Sequence, residues 1–210
     1  DIDFESLYNR FNHPITKIDC GEKCSPYNEY RRPFCCDISQ SVPTAFIEEW
    51  EYLKNHTIIW RNWQSGTLEA RNKLGKIIPE RQIPLECLGH HHCQRQFRTI
   101  TCRAFPFYPY FSEENEFIGF SYYWQYEDRC WVINNLHRVT DPYREEFIAA
   151  YNDIFLAYPS EKDSFRYQSK IHRRVFRKRR TRIPLFHVDG INYLVTPQKG
   201  QLNVASFSKL

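Results

Sequence analysis

Residues 87–107 read Cys-Leu-Gly-His-His-His-Cys-Gln-Arg-Gln-Phe-Arg-Thr-Ile-Thr-Cys-Arg-Ala-Phe-Pro-Phe, and residues 20–36 read Cys-Gly-Glu-Lys-Cys-Ser-Pro-Tyr-Asn-Glu-Tyr-Arg-Arg-Pro-Phe-Cys-Cys. Between them they hold Cys20, Cys24, Cys35, Cys36, Cys87, Cys93 and Cys102, seven of the eight cysteines, and Cys130 stands apart. Neither stretch repeats its apolar residues with the period of a helix or a strand. A long irregular segment inside a compact protein needs something to order it. With 210 residues, 41% hydrophobic and 17% aromatic, the chain can bury a core without covalent staples.

Three readings of the cysteines compete. Buried apolar thiols would follow the periodicity of their surroundings, but these sit among Gly, Pro, His and charged neighbours. Disulfides suit the even count but need an oxidising compartment, for which the sequence offers only the sequon at Asn55-His56-Thr57. Metal ligation explains the irregularity directly, because binding free energy then orders the loops, and it is the favoured reading.

The metal is left open between zinc and an iron–sulfur cluster. The CxxC knuckle of zinc ribbons is absent, since the first pair is Cys20-x3-Cys24, and the C-x3-C-x2-C spacing fails because position 27 is Tyr. Seven clustered cysteines exceed one mononuclear site, which favours a cluster or two metals. His90, His91 and His92, between Cys87 and Cys93, are further donors to weigh.

Working outward, Phe4, Leu7, Tyr8 and Phe11 have helical spacing. Pro43, with Ser41 or Thr44 as cap, is expected to start a helix presenting Phe46, Ile47, Trp50 and Leu53. Short strands are expected at 57–60, 117–126 and 131–133, and a loop or strand pair at 73–81. Asp141-Pro142 opens the strongest helix, with Tyr143, Phe147, Ile148, Tyr151, Ile154 and Phe155 at 3.6 periodicity. Residues 183–188 and 191–195 flank Asp189-Gly190 as a hairpin. The expectation is an α+β protein of irregular, metal-organised cysteine-rich loops, several helices and short antiparallel strands. Its cysteine-rich region spans 1–135; a helix, basic segment and hairpin follow at 136–210, packed with the first region as one domain.

Charge is concentrated. Residues 161–182 carry ten Lys or Arg against two acids, so a segment of net +8 sits on a body that is otherwise net −4, giving +4 overall. Capped by Ser164 and docked through Ile171 and Val175, a helix here would display Arg173, Arg174, Arg177, Lys178 and Arg180 as a surface for a nucleic acid or an acidic protein. The alternative is a solvated helix face. No base-stacking sequence motif accompanies it. The seven glycines are too scattered to form a phosphate loop, and Glu86, Glu113, Glu114 and Asp128 form no pair with catalytic spacing. No apolar run approaches the roughly 18 residues of a membrane span and no signal-type segment opens the chain, which points to the cytoplasm.

The segment Cys87 to Cys93, then Arg98, then Cys102-Arg103-Ala104-Phe105-Pro106 resembles the second half of the zinc- or iron-chelating CxxCxxxCC (YkgJ-type) family. In that pattern an Arg stands four residues before a Cys that opens Cys-Arg-x-x-Pro. The doublet Cys35-Cys36 and the Pro43 segment are similar to its first half, although ten residues separate Cys24 from Cys35 where the family has three, and Thr99 replaces a Pro. The same arrangement is similar to that of flagellin lysine N-methylases. The resemblance implies a metal-ligand role for the matching cysteines, an iron–sulfur cluster as cofactor, and protein modification with S-adenosylmethionine, or redox chemistry, as the associated activity. No methyl-donor fingerprint is readable. Thiolate clusters are negatively charged, so Arg98 and Arg103 are the candidates to donate hydrogen bonds to sulfur.

Overall fold

The computed structural model describes residues 2–64, 66–69, 72 and 78–208. The chain is α+β. It divides into two compact units: Asp1–Asn12 with Gly21–Phe105, and His13–Cys20 with Pro106–Leu210. The division falls at 105/106, ahead of the boundary at 135 drawn from the cysteine distribution.

In the first unit, α1 (Phe4–Arg10) starts at Asp3, whose carboxylate accepts from Ser6 N at 3.2 Å, and it buries Phe4, Leu7 and Tyr8. Cys20–Cys24 forms a one-turn helix, α2, that crosses the division between units. A three-stranded antiparallel sheet follows, with β3 (Gln82–Cys87) between β1 (Thr44–Phe46) and β2 (Trp60–Asn62). The helix expected from Pro43 begins later, as α3 (Ile47–His56), because residues 44–46 pair with β3 in the register Thr44↔Pro84 to Phe46↔Gln82. Its buried residues are Glu49 and Leu53, and Ile47 is exposed. The strand expected at 57–60 is shifted to 60–62. Of the segment expected as loop or strand pair, residues 73–77 lie outside the described residues.

The second unit is a five-stranded antiparallel sheet in sequential order, made of β4 (Phe107–Phe111), β5 (Phe117–Tyr122), β6 (Ile183–His187), β7 (Asn192–Val195) and β8 (Leu202–Val204). Between β5 and β6 the chain forms α5 (Asp141–Ala157), with Pro142 in its first turn, and α6 (Glu161–Arg179). Phe120 is the centre of the core, with ring centroids at 4.3 Å from Phe147, 4.8 Å from Phe186 and 5.2 Å from Phe107. Gly119 precedes it at φ +145°, where a Cβ would stand 2.1 Å from Phe186 O, so only glycine lets β5 and β6 approach here. The expected hairpin forms, with the Phe186↔Asn192 pair closing it.

Three expectations in this unit are corrected. The strand expected at 117–126 ends at Tyr122, and Trp124–Tyr126 is a 3₁₀ turn. Residues 131–133 lead into the 3₁₀ segment Ile133–Arg138 instead of pairing as a strand. Ser164 lies inside α6, returning its hydroxyl to Glu161 O, and the N-cap is Ser160. The buried stripe of α6 runs through Ser169, His172 and Phe176, while Ile171 and Val175 are half-buried. Ser169 is selected because β4 is an edge strand: its hydroxyl accepts from Phe111 N at 2.9 Å, completing an edge that would otherwise be unpaired.

Candidate metal centre

The first unit positions six of the clustered cysteines. Cys87 ends β3, where Trp60↔Cys87 is the last pair with β2. Gly89, at φ +94°, turns the chain into the 3₁₀ turn His90–His92, and Cys93 N donates to His90 O at 3.3 Å. A second 3₁₀ turn, Arg95–Phe97, is fixed by Trp60 Nε1 donating to Phe97 O at 2.7 Å. Thr99 then caps the short helix α4 (Ile100–Ala104), its hydroxyl accepting from Cys102 N at 3.2 Å. Cys35 and Cys36 lie in the 3₁₀ turn Phe34–Cys36, their sulfurs 4.0 Å apart.

Two buried polar groups hold this loop system. Arg103 directs its guanidinium to the carbonyls of Tyr8 and Phe11 at the end of α1, and to those of Arg95, Gln96 and Arg98. A planar fork with five donors suits such converging carbonyls. Glu49, fully buried, accepts from Tyr8 Oη at 2.6 Å, Ile100 N at 2.7 Å and Phe46 N at 3.1 Å, tying α1, α3 and α4 together. Burial pushes its carboxyl up to about 7, against the lowering effect of those hydrogen bonds and of Arg103. A third group, Asp37, orders the turn after Cys36: it accepts from Asn28, Ser39 and Arg32. Burial works to raise its pKa, but the hydrogen bonds from Ser39 and Asn28 prevail and hold it below the usual carboxylate value. None of the three roles was foreseen from sequence. A buried carboxylate or guanidinium reads there as one more surface charge.

The thiols fall into groups. Burial pushes the Cys102 thiol up to about 12; the Thr99 hydrogen bond opposes it, Cys36 and Cys87 raise it further, and Arg98 lowers it. Burial likewise raises Cys87, with Cys36 and Cys93 adding to the effect. Arg98 Nε donates to Cys93 Sγ at 3.1 Å. Although burial works against the Arg98 charge, that hydrogen bond and the fields of Cys93, Cys36 and Cys102 raise its pKa. Cys36, Cys93 and Cys102 therefore share the field of Arg98, and Cys87 is coupled to Cys36, Cys93 and Cys102. Cys35 is exposed beside them, and Cys24 is buried with its thiol 3.6 Å from Gly21 O. Cys20 and Cys130 belong to the second unit.

The ligand chemistry suits a thiophilic metal: four soft sulfur donors, with a guanidinium to offset thiolate charge. The geometry is not closed. Among the described residues no three His, Cys, Asp or Glu side chains stand in metal-ligand arrangement. The His90 and His91 rings are tilted with centroids 3.8 Å apart, and burial, then His91, then Arg32 lower the His90 pKa, which favours its neutral ring. Glu86 is held in an ion pair with Arg61 at 2.7 Å.

In the second unit, Arg173, Arg174 and Arg177 line a groove of about 530 Å³, while Lys178 and Arg180 are exposed outside its lining. Arg180 closes α6 in a left-handed C-cap at φ +57°. No family model matches the chain, no curated protein matches it, and no solved structure matches it.

Proposed function

We propose that the protein binds a metal cluster through thiolates, an iron–sulfur cluster in preference to zinc, with Cys36, Cys87, Cys93 and Cys102 as ligands. The observation that carries this reading is the field that Arg98 shares with Cys93, Cys36 and Cys102, its Nε 3.1 Å from Cys93 Sγ, together with the coupling of Cys87 to Cys36 and Cys93. Such a group supplies electron transfer, or Lewis acidity if the metal is zinc. The chain's own part is to surrender the thiol protons, to balance the thiolate charge and to hold the loops. Cys102 is the reluctant proton donor, so loading favours higher pH. Arg98 stabilises the thiolate next to it, and Arg103 with Glu49 fixes the two segments that carry Arg98 and Cys102. Cys20, Cys24 and Cys35 are assigned no ligand role in this reading.

The resemblance to the CxxCxxxCC family is consistent with it and makes protein modification by methyl transfer, or redox chemistry, the first activities to assay. Thiols kept for metal ligation fit a reducing cytoplasm. Among the described residues no helix is long and apolar enough to cross a membrane. The experiment is anaerobic reconstitution with iron and sulfide, read by absorption and elemental analysis. A brown protein with iron and labile sulfide is expected; a colourless zinc protein overturns the cluster, and a protein that takes up neither overturns the metal reading.

A second reading has its own support. The groove lined by cations of α6 favours a negatively charged partner, nucleic acid or acidic protein, with zinc in a purely structural role.

A further inference from the structure

Arg166, Lys170, Arg173, Arg174 and Arg177 recur along one side of α6, at the spacing that brings side chains to one helix face. The stretch from 166 to 177 is roughly 16 Å long at the rise of an α-helix. Against these five cations the groove has one carboxylate, Glu113, from the turn between β4 and β5. The helix dipole accounts for basic residues in the last turn, where Arg177, Lys178 and Arg179 stand. It does not account for those one to three turns earlier.

The cations are held more than they are neutralised. Arg173 Nη1 donates to Phe111 O at 2.6 Å and its guanidinium lies over the Tyr110 ring, 5.7 Å from the centroid. Arg177 Nη2 donates to Pro197 O at 3.2 Å. Arg166 pairs with Asp163 at 2.9 Å, on a carboxylate that is 75% exposed and so weakly bound. Lys170 and Arg174 form no ion pair among the described residues. Anchoring on carbonyls and rings fixes positive charge in place without cancelling it, which is what a preorganised anion site requires.

Tyr167 decides between anions. It lines the same groove and is 66% exposed, a large aromatic face left in water beside a row of cations. An acidic peptide would use the cations alone. Cations tracking a backbone, with an aromatic ring for a base, is the combination by which proteins hold single-stranded nucleic acid.

We propose that the α6 groove binds single-stranded nucleic acid, its phosphates on Lys170, Arg173, Arg174 and Arg177 and one base stacked on Tyr167. The proposal deepens the second reading above and is independent of the thiol centre. Sequence-tolerant binding is expected, since phosphate charge and a stacked ring engage every base alike.

The test uses the full chain and fluorescein-labelled oligouridylate and oligothymidylate of about twelve nucleotides. Anisotropy is followed from about 50 to 200 mM salt, with polyglutamate titrated in parallel. Expected is binding of at least one oligonucleotide that weakens steeply with salt, the two probes telling RNA from DNA. Tyr167→Ala should lose roughly tenfold and Tyr167→Phe little. Lys170→Glu with Arg174→Glu should abolish binding while the circular dichroism spectrum is retained. Polyglutamate bound at the same residues with no oligonucleotide bound overturns the proposal and keeps the acidic-partner reading. Binding of neither overturns both. Oligonucleotide binding indifferent to Tyr167→Ala overturns the stacked base.

Discussion

Phe120 of the second unit is wrapped by Phe107, Tyr143, Phe147 and Phe186, all but one of them less than 2% exposed. Arg103 of the first unit is instead wrapped by carbonyl oxygens from two segments far apart in sequence. One unit is held by rings packed on a sheet; the other adds to its apolar core a set of buried charges that collect chain segments near the thiols. The difference is one of tolerance. A ring-packed core restrains every neighbour at once, whereas a hub of hydrogen bonds restrains the chain only at its contacts.

The widest separation between the units should come with pH. His172, buried in the second unit among Tyr108, Tyr122, Trp124 and Phe176, lies with Nδ1 2.5 Å from Tyr108 Oη, and its Nε2 has no hydrogen-bond partner among the described residues. Burial, then Arg179 and Arg173, lower its pKa from 6.5 to about 3. The unfolded chain therefore takes up this proton first. Its contribution is complete above pH 6.5 and is lost as pH falls toward 3, a term of roughly 5 kcal/mol. Glu49 runs the other way: raised from 4.5 to about 7, its folded form holds the proton more tightly, so its contribution is complete below 4.5 and lost as pH rises through 7, by roughly 3 kcal/mol. Hydrogen exchange resolved by peptide should show the second unit opening on acidification while the first tightens. His172→Gln and Glu49→Gln should each flatten its own slope. Parallel slopes in the two units would break the comparison.

Truncations should sharpen it. Phe147→Ala leaves a cavity in the ring layer and should cost the second unit about 3–5 kcal/mol. Arg103→Ala strands several buried carbonyls and should cost the first unit about 3 kcal/mol, with Arg103→Lys recovering little, because an ammonium cannot reproduce the fork. Denaturant melts with fluorescence and exchange readouts check both. The smallest effect expected is from Thr99→Ala, which removes the cap of α4 for about 1 kcal/mol.

The same contrast explains what could be read beforehand. Where rings repeat with helical period, at 4–11 and 141–155, the sequence states both element and buried face. The hairpin at 183–195 was legible from Asp189-Gly190. The edge strand β4 was not, because Pro109 in its middle argues against a strand, and it survives only by pairing Phe120 on a single sheet neighbour. The buried stripe of α6 was missed because Ser169 and His172 look polar and are buried for their hydrogen bonds. Around the thiols, sequence marks the cysteines and Arg98 but cannot sort them. Grouping Cys87 with Cys102 depends on α4 being tied to β1 through Thr44 and Thr101 and to α3 through Glu49, and on β1 pairing with β3, contacts that no local pattern encodes.

The account rests on four thiols acting as one centre. Iron and labile sulfide per chain, measured after anaerobic reconstitution of the wild type, Cys102→Ser and Cys130→Ser, test that most directly. The prediction is near-complete loss of both in Cys102→Ser and wild-type content in Cys130→Ser. Wild-type content in Cys102→Ser would contradict it.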